Sequence, residues 1–269
     1  MIRKLYILFL LVSFVAMGCG PSQEEQADRK MQEAELLLDS GKFNLARLKL
    51  DTLMNEYGNL TEKVADARRL LNDIRVKELE RNLAYLDSMI AVKENELEPL
   101  MKNFIRSDDY GTKPILIHRR QRPENSYNRT FIRAHLNPDG EFYISSRYFG
   151  DKWIKHNRIK VYHAGESVTS QEEPEDGFNN RRFEDGGNKW EIVNYMDGAD
   201  NGIINFIAVN VEKPLKVQFI GEGHYYIVME HFDKEAVRDG YETSFVLQEL
   251  TGLRKERKKV KEELQSVGS

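Results

Sequence analysis

Apolar residues recur at spacings of three and four at Val76, Leu79, Leu83, Leu86, Ile90, Lys93, Leu97, Leu100 and Phe104. Eight of these nine positions are apolar, the a/d seam of a heptad repeat, and they predict one long amphipathic helix opening near Thr61. A second seam runs through Val246, Leu250, Leu253, Arg257, Val260, Leu264 and Val267. Between the seams the period changes to two. The pattern as a whole predicts an α+β protein: an N-terminal helical base and a long antiparallel helical hairpin, a coiled-coil stalk, with an inserted antiparallel β-sandwich-like domain. In such a hairpin Ile74 should lie beside Leu264 and Leu86 near Leu250. Pro99 has no N–H to donate and should kink or end the first long helix near Asn95 to Glu98.

The expected organisation follows from where the period changes. Residues 24–60 read as a helical hairpin, with Ala27, Met31, Ala34, Leu37 and Leu38 on one face, a stop at Gly41, and a second helix from Phe43 to Tyr57. Residues 61–105 form the outgoing stalk helix, 106–232 the β head, and 233–269 the returning helix, with Asp233 expected at its cap. Within the head, Ile132, Ala134 and Leu136 alternate with polar residues, and Asn137-Pro138-Asp139-Gly140 turns the chain into Phe142 and Ile144. Further strands are expected at Ile159 and Val161, around Trp190 to Val193, and at Leu215 to Phe219, with Gly221-Glu222-Gly223 turning into Tyr225. The run Ile203 to Val209 is apolar on both faces, as a central strand would be. Ser170 to Asn188 reads as a long acidic loop, and loops of that length usually carry function.

The N-terminus sets an address. Arg3 and Lys4 precede thirteen almost wholly apolar residues, Leu5 to Met17, too few to span a bilayer core of roughly 30 Å as a helix. This is a signal-peptide pattern, and its end, Ala16-Met17-Gly18-Cys19, resembles the lipobox of bacterial lipoproteins, with Ala16 where leucine is usual. The resemblance implies removal of residues 1–18, acylation of Cys19 by palmitate or a similar chain, and a lipidated tether over 19–23. It also implies an outer-membrane lipoprotein of a Gram-negative cell envelope, facing the periplasm or the cell surface. Ala34, Gly41, Phe43, Ala46 and Tyr57 resemble a single tetratricopeptide-type helical hairpin, for which one copy must pack on a neighbouring helix.

Composition narrows the function classes. Removing Arg3 and Lys4 from 40 basic side chains leaves 38 against 44 acids, a net charge of −6, which argues against nucleic acid as a partner. Cys19 is the only cysteine, so neither an internal disulfide nor an all-thiolate metal site is available. His118, His135, His156, His163, His224 and His231 all fall in the head without local ligand spacing, and no nucleotide-binding or nucleophile motif occurs. No catalytic, metal or cofactor site is therefore expected. Aromatics are the remaining chemistry, with Tyr148, Trp153 and Trp190 as possible ligand-binding rings. The expected function is a non-enzymatic, membrane-anchored binding or scaffold protein whose head meets an envelope protein. A glycan stacked on the head's aromatics is the alternative.

Overall fold

The computed structural model describes residues 21–108 and 114–267, so the apolar leader, the Ala16–Cys19 box and the lipidation site lie outside the described residues. The chain divides into two units, one holding the residues up to Tyr85 with those from Arg257 onward, the other Leu86–Glu256. The fold class is α+β, as the periodicities predict.

In the first unit, α1 (Gln23–Asp39) and α2 (Phe43–Glu56) form a pair that packs with the start of α3 (Thr61–Met101). Ser22 caps α1: its hydroxyl accepts from Glu25 N and the Glu25 carboxylate accepts from Ser22 N. Gln23, expected in the tether, is thus already helical, and Glu24 and Glu25 lie in the first turn, where the helix dipole favours them. Ala27, Ala34 and Ala46 are wholly buried, and their short side chains let the helices approach closely around Leu50, Leu53 and Ile74. Arg75 pairs with Glu263 of the C-terminal helix, each one residue from the expected neighbours Ile74 and Leu264.

The second unit contains ten strands in chain order: β1 (Phe104–Ser107), β2 (Ile115–His118), β3 (Phe131–Leu136), β4 (Phe142–Gly150), β5 (Arg158–His163), β6 (Glu166–Thr169), β7 (Asn180–Asp185), β8 (Asn188–Tyr195), β9 (Lys216–Ile220) and β10 (His224–Val228). A short α4 (Pro123–Ser126), α5 (Ile203–Val209) and the long α6 (His231–Val267) complete the elements. Six strands make one sheet in the order β1-β2-β3-β4-β8-β7 and four make another in the order β10-β9-β5-β6, every pair antiparallel. Ile132, Ile144 and Val193 from the first sheet share one core with Ile159, Val161, Val217 and Phe219 from the second. Ile203 and Ile207 of α5 and Ala236 and Val237 of α6 fill the same core. The glutamine at 121 extends the ladder beside the short β2–β3 pairing: its side-chain amide donates to Ile132 O (2.8 Å) and accepts from Ala134 N (2.9 Å).

Four expectations change. Ile203–Val209 is helix, not a central strand. Asp200 starts it by accepting from Gly202 N and Ile204 N, and Ile203, Ile204 and Ile207 face the core at helical spacing; a short apolar run does not separate the two states by itself. The outgoing helix continues to Met101, because Pro99 sits in its last turn, which then tightens through Asn103 N to Leu100 O (3.1 Å). Part of the stretch from Ser170 to Asn188 is β7, turned into β8 at Gly186 and Gly187, whose φ values of 59° and 81° suit a hairpin turn. Asp233 lies inside the first turn of α6 rather than at its cap: the helix opens at His231, with Asp233 N and Lys234 N donating to Glu230 O, and the Asp233 carboxylate is taken by Gln121 and Arg129.

The turn from β3 to β4 closes as Asn137-Pro138-Asp139-Gly140 predicts, with Gly140 N donating to Asn137 O (2.9 Å). Gly140 has φ +92°, its carbonyl accepts from Gln248 Nε2 (2.8 Å), and a Cβ there would stand 2.7 Å from Gln248 N and 2.8 Å from Ser244 O. Backbone cannot yield as a side chain can, so Gly140→Ala should cost about 2–4 kcal/mol from left-handed strain and overpacking together. Urea unfolding of the full chain measures it; a loss under about 0.5 kcal/mol would show that the turn is not held against α6.

Candidate functional site

The two faces of β8 do different work. Glu191 points inward beside Tyr148, while Trp190 and Ile192 point outward. On the outer face, cross-strand pairing sets Arg181 beside Ile192 and Ile192 beside Arg147, then Phe183 beside Trp190 and Trp190 beside Phe149. A basic row thus runs next to an aromatic row. Arg133 on β3 joins from the position opposite Ser145.

These rows line a pocket of about 350 Å³, within the range of ligand sites. Ile192 belongs to its lining and is 5% exposed; Pro123, Ser126 and Tyr127 add a wall, and Arg133, Arg147, Arg181 and Asp185 supply the charges. The rings form one group around Trp190: Phe149 at 4.7 Å, Phe183 at 6.0 Å and nearly parallel, and Tyr127 at 6.4 Å. The group stays open to solvent, since Tyr127 is 71% and Phe183 44% exposed. The convergence of charge registers on a neighbour. Half-buried His135 is held well below the ordinary imidazole value by burial and then by Arg133, Arg147 and Arg181. It is therefore neutral, stacked on Tyr143 at 4.5 Å and hydrogen-bonded to Ser145 Oγ (2.8 Å). Three guanidiniums beside aromatic walls can hold an anion through bidentate hydrogen bonds and a flat ring by stacking.

Of the three rings expected to bind ligand, only Trp190 is in this pocket. Tyr148 is a correction: it is 3% exposed on the inner face, its hydroxyl donates to Lys152 O (2.9 Å), and its ring meets Tyr225 edge-on. Being one residue from Phe149, it takes the opposite side of the pleat. Trp153 lies on the connection after β4, with the Lys189 ammonium over its ring at 5.3 Å. Arg181 and Phe183 are hidden in the sequence because β7 reads there as loop, and Arg133 and Arg147 because alternation does not show which strands lie side by side. The signal available was parity, since Arg133, Arg147 and Phe149 share one side of the pleat while Ile132, Ala134, Ser146 and Tyr148 take the other.

The inner face carries a buried relay. Glu191 accepts from Ile154 N (2.8 Å), Lys155 N (2.7 Å), His156 N (2.8 Å) and His156 Nδ1 (2.7 Å). That bond leaves Nε2 of His156 to accept from Ser146 Oγ (2.8 Å), so Tyr195 O–H donates to Ser146 in turn (3.2 Å). Burial raises Glu191 but the imidazole and amides outweigh it, holding the carboxyl low; burial pushes His156 down, so the pair is carboxylate and neutral imidazole. The order Ser-His-Glu is that of an acyl-transfer triad, yet all three are 0% exposed and face the core, which makes the relay a structural brace. A further cavity of about 310 Å³ lies near Phe142, Ile204 and Phe245, where the one carboxylate, Asp200, is committed to starting α5. Among the described residues no group of three or more His, Cys, Asp or Glu is placed to hold a metal, and no helix is long and apolar enough to cross a membrane.

Comparison with protein families, with characterised proteins and with solved structures finds no match to this chain.

The buried titratable groups fix a pH dependence. His135 and His156 have depressed values, so the stability they contribute is complete above 6.5 and is lost as pH falls. Asp233 works the other way. Burial pushes it from 3.8 up to about 6 against Gln121 and Arg129, so its contribution is complete below 3.8 and is lost as pH rises through about 6. With two groups against one, the protein should lose stability between pH 6.5 and 5, and Asp233→Asn should lose it more steeply. Urea unfolding at pH 7 and 5 compares them; a shallower acid loss in the variant would contradict the assignment of Asp233.

Proposed function

We propose that this protein is a non-enzymatic binding lipoprotein of the cell envelope, held to the membrane through acyl chains on Cys19. Its ligand is anionic and occupies the outer face of the six-stranded sheet. The observation that carries the binding role is the meeting of Arg133, Arg147 and Arg181 with Trp190 and Phe183 around one ligand-sized pocket. Such a site supplies charge, flat apolar surface and a rim of mixed polarity, the ingredients of recognition rather than of bond making. Anchoring is supported by the Ala16–Cys19 sequence, and two or three acyl chains at ~0.8 kcal/mol per buried methylene give stable membrane attachment. An envelope protein presenting an acidic segment would meet the same arginines, so the scaffold and binding readings share this face.

Titrating the full chain with citrate while following tryptophan fluorescence tests the anion site. Saturable quenching should appear, weaken as salt screens the charges, and fall about tenfold in affinity in Arg181→Gln, the loss expected for one charge-assisted contact. A response unaltered by Arg181→Gln would place the binding elsewhere. Anchoring is read separately: Cys19→Ser should move the chain from the membrane to the soluble fraction, and unchanged membrane association would refute acylation at Cys19.

A further inference from the structure

The pocket is ordered along the strands as well as charged. On β7, Arg181, Phe183 and Asp185 succeed one another on the same face, two residues apart, and all three line the pocket. Each step is about 6.6–6.8 Å, twice the rise of a strand residue. On β8, Trp190 stands beside Phe183 with its ring nearly parallel, at 7°. On β4, Arg147 continues the row begun by Arg181, with Ile192 between them. A ligand lying here meets cations first, then a flat apolar surface, then a carboxylate.

That sequence of surfaces selects a ligand of matching polarity. The cationic end suits a carboxylate, which a guanidinium binds through two parallel hydrogen bonds. The rings suit a face of C–H groups about one ring wide. Asp185 suits hydroxyl donors and opposes a second negative charge at that end. A pyranose with a carboxyl group at C6 and hydroxyls on its opposite side carries all three features within one residue. Open access at Phe183 and Tyr127 leaves room for the chain to continue beyond the pocket. Resting on the anion-binding reading above, we infer that the site recognises a uronic-acid residue of an acidic glycan. Arg181 and Arg147 hold its carboxylate, Trp190 and Phe183 stack on its ring, and Asp185 accepts from its hydroxyls.

Calorimetric titration of the full chain with an unsulfated glucuronate-containing disaccharide tests this against three further probes: the same disaccharide with its carboxyl reduced to the alcohol, inorganic sulfate, and guanosine monophosphate. The uronate disaccharide should bind, and the reduced sugar should bind at least about tenfold more weakly. Arg181→Gln and Phe183→Ala, both on the exposed edge strand, should each weaken the uronate by about tenfold while leaving the circular dichroism spectrum and unfolding midpoint in place. Equal binding of the reduced sugar would overturn the inference. Binding of sulfate or the nucleotide without the uronate would also overturn it while leaving an anion pocket standing. Failure of all four probes would remove both.

Discussion

The second unit depends on one buried carboxylate. Glu191 has no exposed surface, and an ion in that position is stable only if every lone pair is engaged. Three consecutive amides, of Ile154, Lys155 and His156, and one imidazole N–H supply those bonds. The three amides belong to the connection that leaves β4 at Gly150 and enters β5 at Arg158, so Glu191 fixes the crossing from one sheet to the other. His156 passes the constraint on to Ser146 of β4 and Ser146 passes it to Tyr195 of β8. The result is a closed polar brace inside an otherwise apolar core, in which losing one member would leave the others buried and unsatisfied.

The same constraint reaches the outer surface through the geometry of a strand. Since Glu191 must face inward, Trp190 and Ile192 must face outward, and a one-residue slip of β8 would exchange the two sets. Register with β4 and β7 then decides that Arg147, Arg181, Phe149 and Phe183 share the outer face with them. A pocket assembled from four strands is positioned by ladders rather than by a loop, which suits selection among similar ligands by charge placement. Arg129, stacked on Phe131 and Phe232 and paired with Asp233, ties β3 to the start of α6.

Periodicity carried most of the fold. The heptad positions anticipated both long helices and placed Arg75 and Glu263 within one residue of their observed pairing. The turns at Gly140 and at Gly221 to Gly223 were legible from local chemistry, because positive φ or tight reversal leaves few residues to choose from. Ile203–Val209 was not legible as helix, since six apolar residues in seven fit either period and the deciding contact is the Asp200 carboxylate. The site was mostly hidden. Trp190 stands out in the sequence as a ring on a strand, but Tyr148, which belongs to the cluster of aromatics before it, is sent inward by the register of β4. Arg181 and Phe183 sit on an edge strand whose charged composition, a common protection for exposed edges, reads as loop. Convergence of three arginines from three strands depends on sheet order, which alternation alone does not encode.

Native-state hydrogen exchange of the Ile154, Lys155 and His156 amides tests the brace most directly. If Glu191 governs the crossing between sheets, these three amides exchange only through global unfolding, with the same opening free energy as the central β4 and β8 amides, although they lie outside any strand. Exchange at the rate of the exposed acidic stretch at residues 172–176 would contradict the account, since the carboxylate would then be holding a connection that opens on its own.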